Sequence, residues 1–189
     1  MRKYFLAISI LVAMVAIAAA GNPETSDKPQ YNKNGELLRP ENYREWIFLS
    51  SGFGMNYSPA PGSHDMFTNV FVPQWAYKEF MASGKWPDKT TFVVEERGAQ
   101  TRGSINKHGN FQTDAMGIGV EVKDSSLADK WAYFNFDNNP SATANPKSAC
   151  FSCHENNAAV EHSFVQFYPT LKPVAKKFGT YRESAEEAK

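Results

Sequence analysis

Cys150-Phe151-Ser152-Cys153-His154 contains the only two cysteines of this 189-residue chain. The C-x-x-C-H spacing is the attachment pattern of a c-type haem. Two thiols at this spacing add to the two haem vinyl groups, and the adjacent imidazole then reaches the iron. Three other chemistries use part of the same pattern: a disulfide between Cys150 and Cys153, a thioredoxin-like redox pair, or half of a zinc site. A zinc site needs two more ligands, and only His162 is close in sequence. A redox pair normally follows a strand in a βαβ unit, and no such unit is visible here. The expected cofactor is therefore one covalently attached haem c, with His154 as its metal ligand.

Residues 1–20 read as a signal peptide. Arg2 and Lys3 form a basic start, and Phe5 to Ile17 is an apolar run too short for a stable membrane span. Ala18-Ala19-Ala20 offers small residues for cleavage before Gly21, and no lipobox cysteine accompanies it. The competing reading is an uncleaved N-terminal anchor. Export implies the periplasm, with no membrane insertion after cleavage. Loss of Arg2 and Lys3 leaves 18 basic against 20 acidic side chains. That near-neutral balance points away from nucleic acid or an anionic membrane as partner.

The remaining length suits one domain. Residues 21–35 are polar and read as a flexible arm, residues 36–180 as the haem-binding domain, and residues 181–189 as a loose charged tail. Pro40 to Trp46 suggests a short helical turn, and Ile47 to Leu49 begins a strand. Ser51 to Ser63 has loop composition, Asn69 to Val72 is β-prone, and Pro73 opens a helix running to about Ser83 with Gly84 as its stop. Thr90 to Glu96, Gly117 to Lys123 and Trp131 to Phe136 alternate as strands, and Gly98 to Gly109 reads as a loop. The pentad falls on a short helix, and Pro169 to Lys177 on a last one. The expected class is α+β: a mainly antiparallel β-sheet with flanking helices and a single c-type haem. Small all-helical cytochromes carry C-x-x-C-H early and a methionine ligand downstream, but no methionine follows His154. Helical-bundle cytochromes carry the motif late but lack such strands. The scaffold is of a third kind.

The chain resembles the cytochrome P-460 family, which includes the cytochromes c′-beta. The likeness rests on Leu37 to Trp46, Asn69-Val70-Phe71-Val72, Gly84-Lys85-Trp86-Pro87-Asp88, Val120 to Asp124, Trp131-Ala132-Tyr133-Phe134, the pentad, and Phe164 to Pro169. The resemblance implies a β-rich domain paired as a homodimer, with a histidine on one side of the haem and an open or water-bound site on the other. Members that oxidise hydroxylamine carry a lysine cross-linked to the haem, just before a glutamate. Val94, followed by Glu95, stands there in this chain, and Thr68 stands in place of the distal arginine. The resemblance is therefore closer to the cytochrome c′-beta branch. Lys85 and Lys89 lie nearby, but on the turn.

Strand alternation puts Phe92, Val94 and Glu96 on one face. With Val94 at the haem, Phe92 and Phe134, with Phe67 or Phe71, form an expected apolar cap. Glu96 is its polar exception and the one candidate for proton handling. Such a cap suits small uncharged gases such as NO or CO. Met55, Met66 and Met116 are alternative iron ligands, while Met81 fits a helix core face. His64, His108 and His162 suit surface or structural roles, and Asn145 the haem rim or a turn. Gln166 stands where relatives often carry a basic residue, which bears on the haem potential. The competing functions are electron transfer with a periplasmic redox partner, and hydroxylamine or peroxide chemistry by a haem oxidoreductase.

Overall fold

The computed structural model describes residues 27–55, 65–148 and 150–187. The expected signal peptide, His64 and residues 21–26 of the expected arm lie outside them. The centre is a five-stranded antiparallel sheet in which each strand pairs with its sequence neighbour: β2 (Ile47–Phe53), β3 (Met66–Val72), β4 (Thr91–Gln100), β5 (Phe111–Lys123) and β6 (Trp131–Asn135). A two-stranded sheet joins β1 (Leu37–Leu38) to β7 (Ser141–Ala142). Helices α1 (Gln74–Ser83), α2 (Phe151–Asn157) and α3 (Lys172–Lys177) complete the α+β fold, together with short 3₁₀ turns. The antiparallel expectation holds.

Side chains alternate across a strand, so each face of the sheet builds its own core. On one face Leu49, Phe92, Trp131 and Tyr133 pack with Ala76 and Phe80 of α1, Phe151 of α2 and Ala175 of α3. On the other, Val93, Val120, Val122 and Phe134 pack under Leu37, Tyr43, Trp46 and Ala142. Burying each large apolar side chain stabilises by about 1.5–3 kcal/mol, so the two cores clamp the sheet from both sides. The haem pentad belongs to the first.

Four stretches depart from expectation. β2 runs on to Phe53, into the loop expected at Ser51 to Ser63, of which residues 56–63 lie outside the described residues. The loop placed at Gly98 to Gly109 is shorter, because β4 runs on to Gln100 and β5 begins at Phe111. Pairing of Arg97 with Ala115, Ala99 with Gln112 and Gln100 with Phe111, across register shifts, makes strand from polar sequence. In the expected arm, Asn32 Oδ1 accepts the N–H groups of Asn34 and Glu36, and Tyr31 bridges Leu37. The expected loose tail is docked as far as residue 187: Tyr181 packs against the first core, and Arg182 donates to the carbonyls of Glu155 and Ala158. Polar side chains that satisfy backbone groups order both segments without apolar runs.

Gly84 ends α1 in the left-handed region, at φ 68°, with its N–H on Phe80 O at 2.7 Å. A Cβ there would lie 2.7 Å from Phe178 Cβ. Gly84→Ala is expected to lower unfolding stability by about 1–3 kcal/mol, measured by urea titration. A loss of a few tenths would contradict this account of the helix end.

Candidate functional site

Cys150 caps α2, and the His154 N–H donates to its carbonyl at 3.1 Å. A helix this short has little stability of its own. Phe151 anchors it in the core, Gln166 Nε2 donates to Asn157 O at 2.8 Å, and Gln166 Oε1 accepts the Ala159 N–H at 2.9 Å. Gln166 thus fastens the exit of α2, where the sequence suggested an influence on potential. Cys150 and Cys153 are free thiols one turn apart. Asn145 Nδ2 lies 3.7 Å from Cys150 Sγ, and Asn157 Nδ2 lies 3.6 Å from Cys153 Sγ. Among the described residues no group of three or more His, Cys, Asp or Glu could hold a metal ion, so a zinc set around Cys153 has no further ligands there.

The His154 ring is held on several sides. Tyr133 and Phe164 each approach it with ring centroids 4.5 Å away. Its Nδ1 lies 2.8 Å from His162 O. A carbonyl can only accept, so Nδ1 carries a proton, and in the neutral imidazole the lone pair is then on Nε2. Nε2 lies 3.5 Å from Glu121 Oε1, a neighbour rather than a hydrogen bond. An imidazole fixed in this tautomer by a backbone carbonyl is a prepared metal ligand.

His154 opens into a cavity of about 380 Å³. Phe164, Phe167 and Tyr168 line it beside the histidine, and the sheet supplies Ser50 and Gly52 from β2, Met66, Thr68 and Val70 from β3, Val94 and Glu96 from β4, and Glu121 from β5. Met55 completes the lining. Gly117 and Gly119 share the face of Glu121 by the period of two. A Cβ on Gly119 would meet nothing nearer than Asn135 Oδ1 at 3.8 Å. Two free thiols one turn apart and an imidazole on the wall of a largely apolar cavity fit a flat, iron-bearing macrocycle.

Val94 and Glu96 reach this cavity, but the expected phenylalanine cap does not form. Phe92 shares their face and lies one step deeper, 1 % exposed, between Trp86 and Trp131. Phe134 lies on the opposite side of the sheet with Val93 and Val120, because β6 pairs with the register that turns Tyr133 inward. Phe71 packs on Tyr43 and Phe48, and Phe67 on Phe53. Their places are taken by Thr68, Val70 and the thioethers of Met55 and Met66. No lysine or arginine lines the cavity among the described residues. Lys89 instead pairs with Asp124. Met116 and His108 are exposed.

Glu121 is the functional candidate that sequence reading missed. Burial pushes its carboxyl above the ordinary range, against the opposing effect of His154. It therefore holds its proton more readily than an exposed carboxyl, and a protonated carboxyl can donate as well as accept. The signal was present: with Ile118, Val120 and Val122 on one face, Glu121 must occupy the other.

Residues 40–165 match the family model described as Cytochrome P460. No curated protein matches the chain. The match takes in the sheet, the cavity strands and the pentad, and it implies a haem cofactor; the chain belongs to the cytochrome P460 family.

Proposed function

We propose that this protein is an exported, periplasmic mono-haem cytochrome that binds a small uncharged gas, NO or CO, at its iron. Cys150 and Cys153 would hold the haem through thioethers, with His154 Nε2 as the iron ligand. The bound haem would supply an iron able to take a diatomic ligand. The observation that carries the reading is the His154 imidazole, on the cavity wall with its Nδ1 held by a backbone carbonyl.

The lining accounts for the choice of ligand. Val70, Val94 and the methionines offer apolar contact, and the lack of a cationic side chain among the described lining residues disfavours anions. Burial makes Glu121 hold its proton more readily than an exposed carboxyl, and in the protonated form it would donate a hydrogen bond. Val94 has no amine, which speaks against the cross-linked, hydroxylamine-oxidising chemistry. Pairing as a homodimer is part of the same proposal.

Met55 and Met66 support a second reading, because both line the cavity that holds His154. Met55 or Met66 as a further ligand would keep an added gas off the iron and favour electron transfer. Mass and absorption spectra of the exported protein separate the readings. A protein carrying one haem, high-spin when reduced, with a Soret band that moves under CO or NO, is the expected result. A low-spin spectrum indifferent to CO favours methionine ligation and a redox partner. A strongly red-shifted reduced band with hydroxylamine turnover points to the oxidoreductase. A protein without added haem mass ends all three.

A further inference from the structure

Trp86 sits in the turn between α1 and β4, far in sequence from the haem helix, yet its indole is tied to that helix's support. Its Nε1–H donates to Ser163 Oγ at 2.6 Å, and the Ser163 hydroxyl donates to Val160 O at 2.9 Å. The backbones of Val160 and Ser163 close on each other, N–H to carbonyl, at 3.3 and 2.9 Å. Within this loop Glu161 takes a left-handed conformation, φ 52°, and His162 follows it. Lys123 Nζ binds the loop from outside, donating to Trp86 O at 2.7 Å and to the Glu161 carboxylate at 2.6 Å. The His162 ring lies between Trp131 and Phe151, with centroids 5.4 and 4.6 Å away.

Trp86 and Ser163 are both buried, and a buried hydroxyl–indole pair is costly to leave unmade. A left-handed glutamate persists only where its surroundings over-determine it. All these restraints converge on one loop, whose His162 carbonyl accepts the His154 Nδ1 proton. The partner of a ligand's second nitrogen sets ring orientation and ligand basicity.

We infer that Trp86 and Ser163 are positioning residues that hold the His162 carbonyl against His154 Nδ1 and so set how strongly His154 donates to the haem iron. The inference rests on the proposed ligation by His154. A firm Nδ1–H···O bond makes Nε2 more basic, strengthens the bond to iron and favours the oxidised metal. Loosening the loop weakens that bond and raises the potential.

The test uses the haem-loaded full chain as Trp86→Phe and Ser163→Ala, read by the iron–histidine stretch of the reduced protein and by the midpoint potential. Both variants are expected to lower the stretching frequency and shift the potential positive. Ser163→Thr, which keeps a hydroxyl, is expected to stay near wild type. Val93→Ala, in the core on the other face of the sheet, should lower the melting temperature without moving either signal. Trp86→Phe keeps most of the ring volume and carries the test alone if Ser163→Ala does not fold. Unchanged frequency and potential in Trp86→Phe, or an equal shift in Val93→Ala, would overturn the inference. If His154→Ala retains the wild-type iron–ligand band, the ligation itself is wrong, a failure distinct from that of the brace.

Discussion

On the proposed attachment and ligation, His154→Ala is expected to leave the haem covalently attached while removing its internal iron ligand. The thioethers would form through Cys150 and Cys153 and not through the imidazole, so the haem mass should persist. The iron–histidine band should vanish, and added imidazole should restore a band close to the original. The cavity of about 380 Å³ that His154 lines gives such a rescuing ligand somewhere to sit. Cys150→Ser with Cys153→Ser should behave in the opposite way, losing essentially all covalent haem. Mass spectrometry under denaturing conditions reads both outcomes. A His154→Ala protein with an unaltered reduced spectrum would show that another residue ligates the iron.

Glu95→Ala should be the most damaging single change away from the cavity. Glu95 is 3 % exposed, on the face opposite the cavity. Tyr43 Oη donates to its carboxylate at 2.7 Å, Arg97 at 3.1 Å and Asn69 Nδ2 at 3.4 Å, and Arg44 also pairs with it. Removing one partner of a buried ionic cluster strands the others. The expected cost is about 2–4 kcal/mol, at the lower end because both arginines keep access to water. Burial acts to raise the Glu95 pKa, but hydrogen bonds from Tyr43, Arg44 and Asn69 and the Arg44 charge outweigh it, and the net shift is downward. A carboxyl lowered in the folded state stabilises fully above its unfolded value, roughly 4.3, and that stability is lost as pH falls through the folded value. The gap between wild type and Glu95→Ala should therefore be constant near neutrality and narrow below about pH 4. Urea titrations across that range measure it, and a gap that widens on acidification would contradict the cluster's role.

Strands with a clean period of two were legible from the chain alone. Trp131 to Asn135 and the second half of β5 alternate as written, and α1 begins and ends within a residue of its Pro73 and Gly84 signals. The polar start of β5 and the end of β4 were not legible, because pairing across a hairpin stabilises strand where side chains carry no preference. β1 and β7 are too short to show any period.

The pentad stands out in the sequence because covalent haem chemistry would need fixed residue types at fixed spacing, and that requirement survives any fold. The depth of a side chain along a strand has no such mark. Phe92 and Val94 share a face, yet one is walled in by Trp86 and Trp131 while the other borders the cavity. Phe134 was assigned to the cap by its aromatic character, and the register of β6 turns it to the far core. Trp86 and Ser163 are 77 positions apart and meet only because the turn before β4 packs against the loop after α2. Local sequence thus determined which thiols and imidazole stand at haem-attachment spacing and which segments alternate, since both depend on near neighbours along the chain. Only tertiary packing decided which carboxyl and which thioethers face the cavity, because that depends on register and on contacts between distant segments.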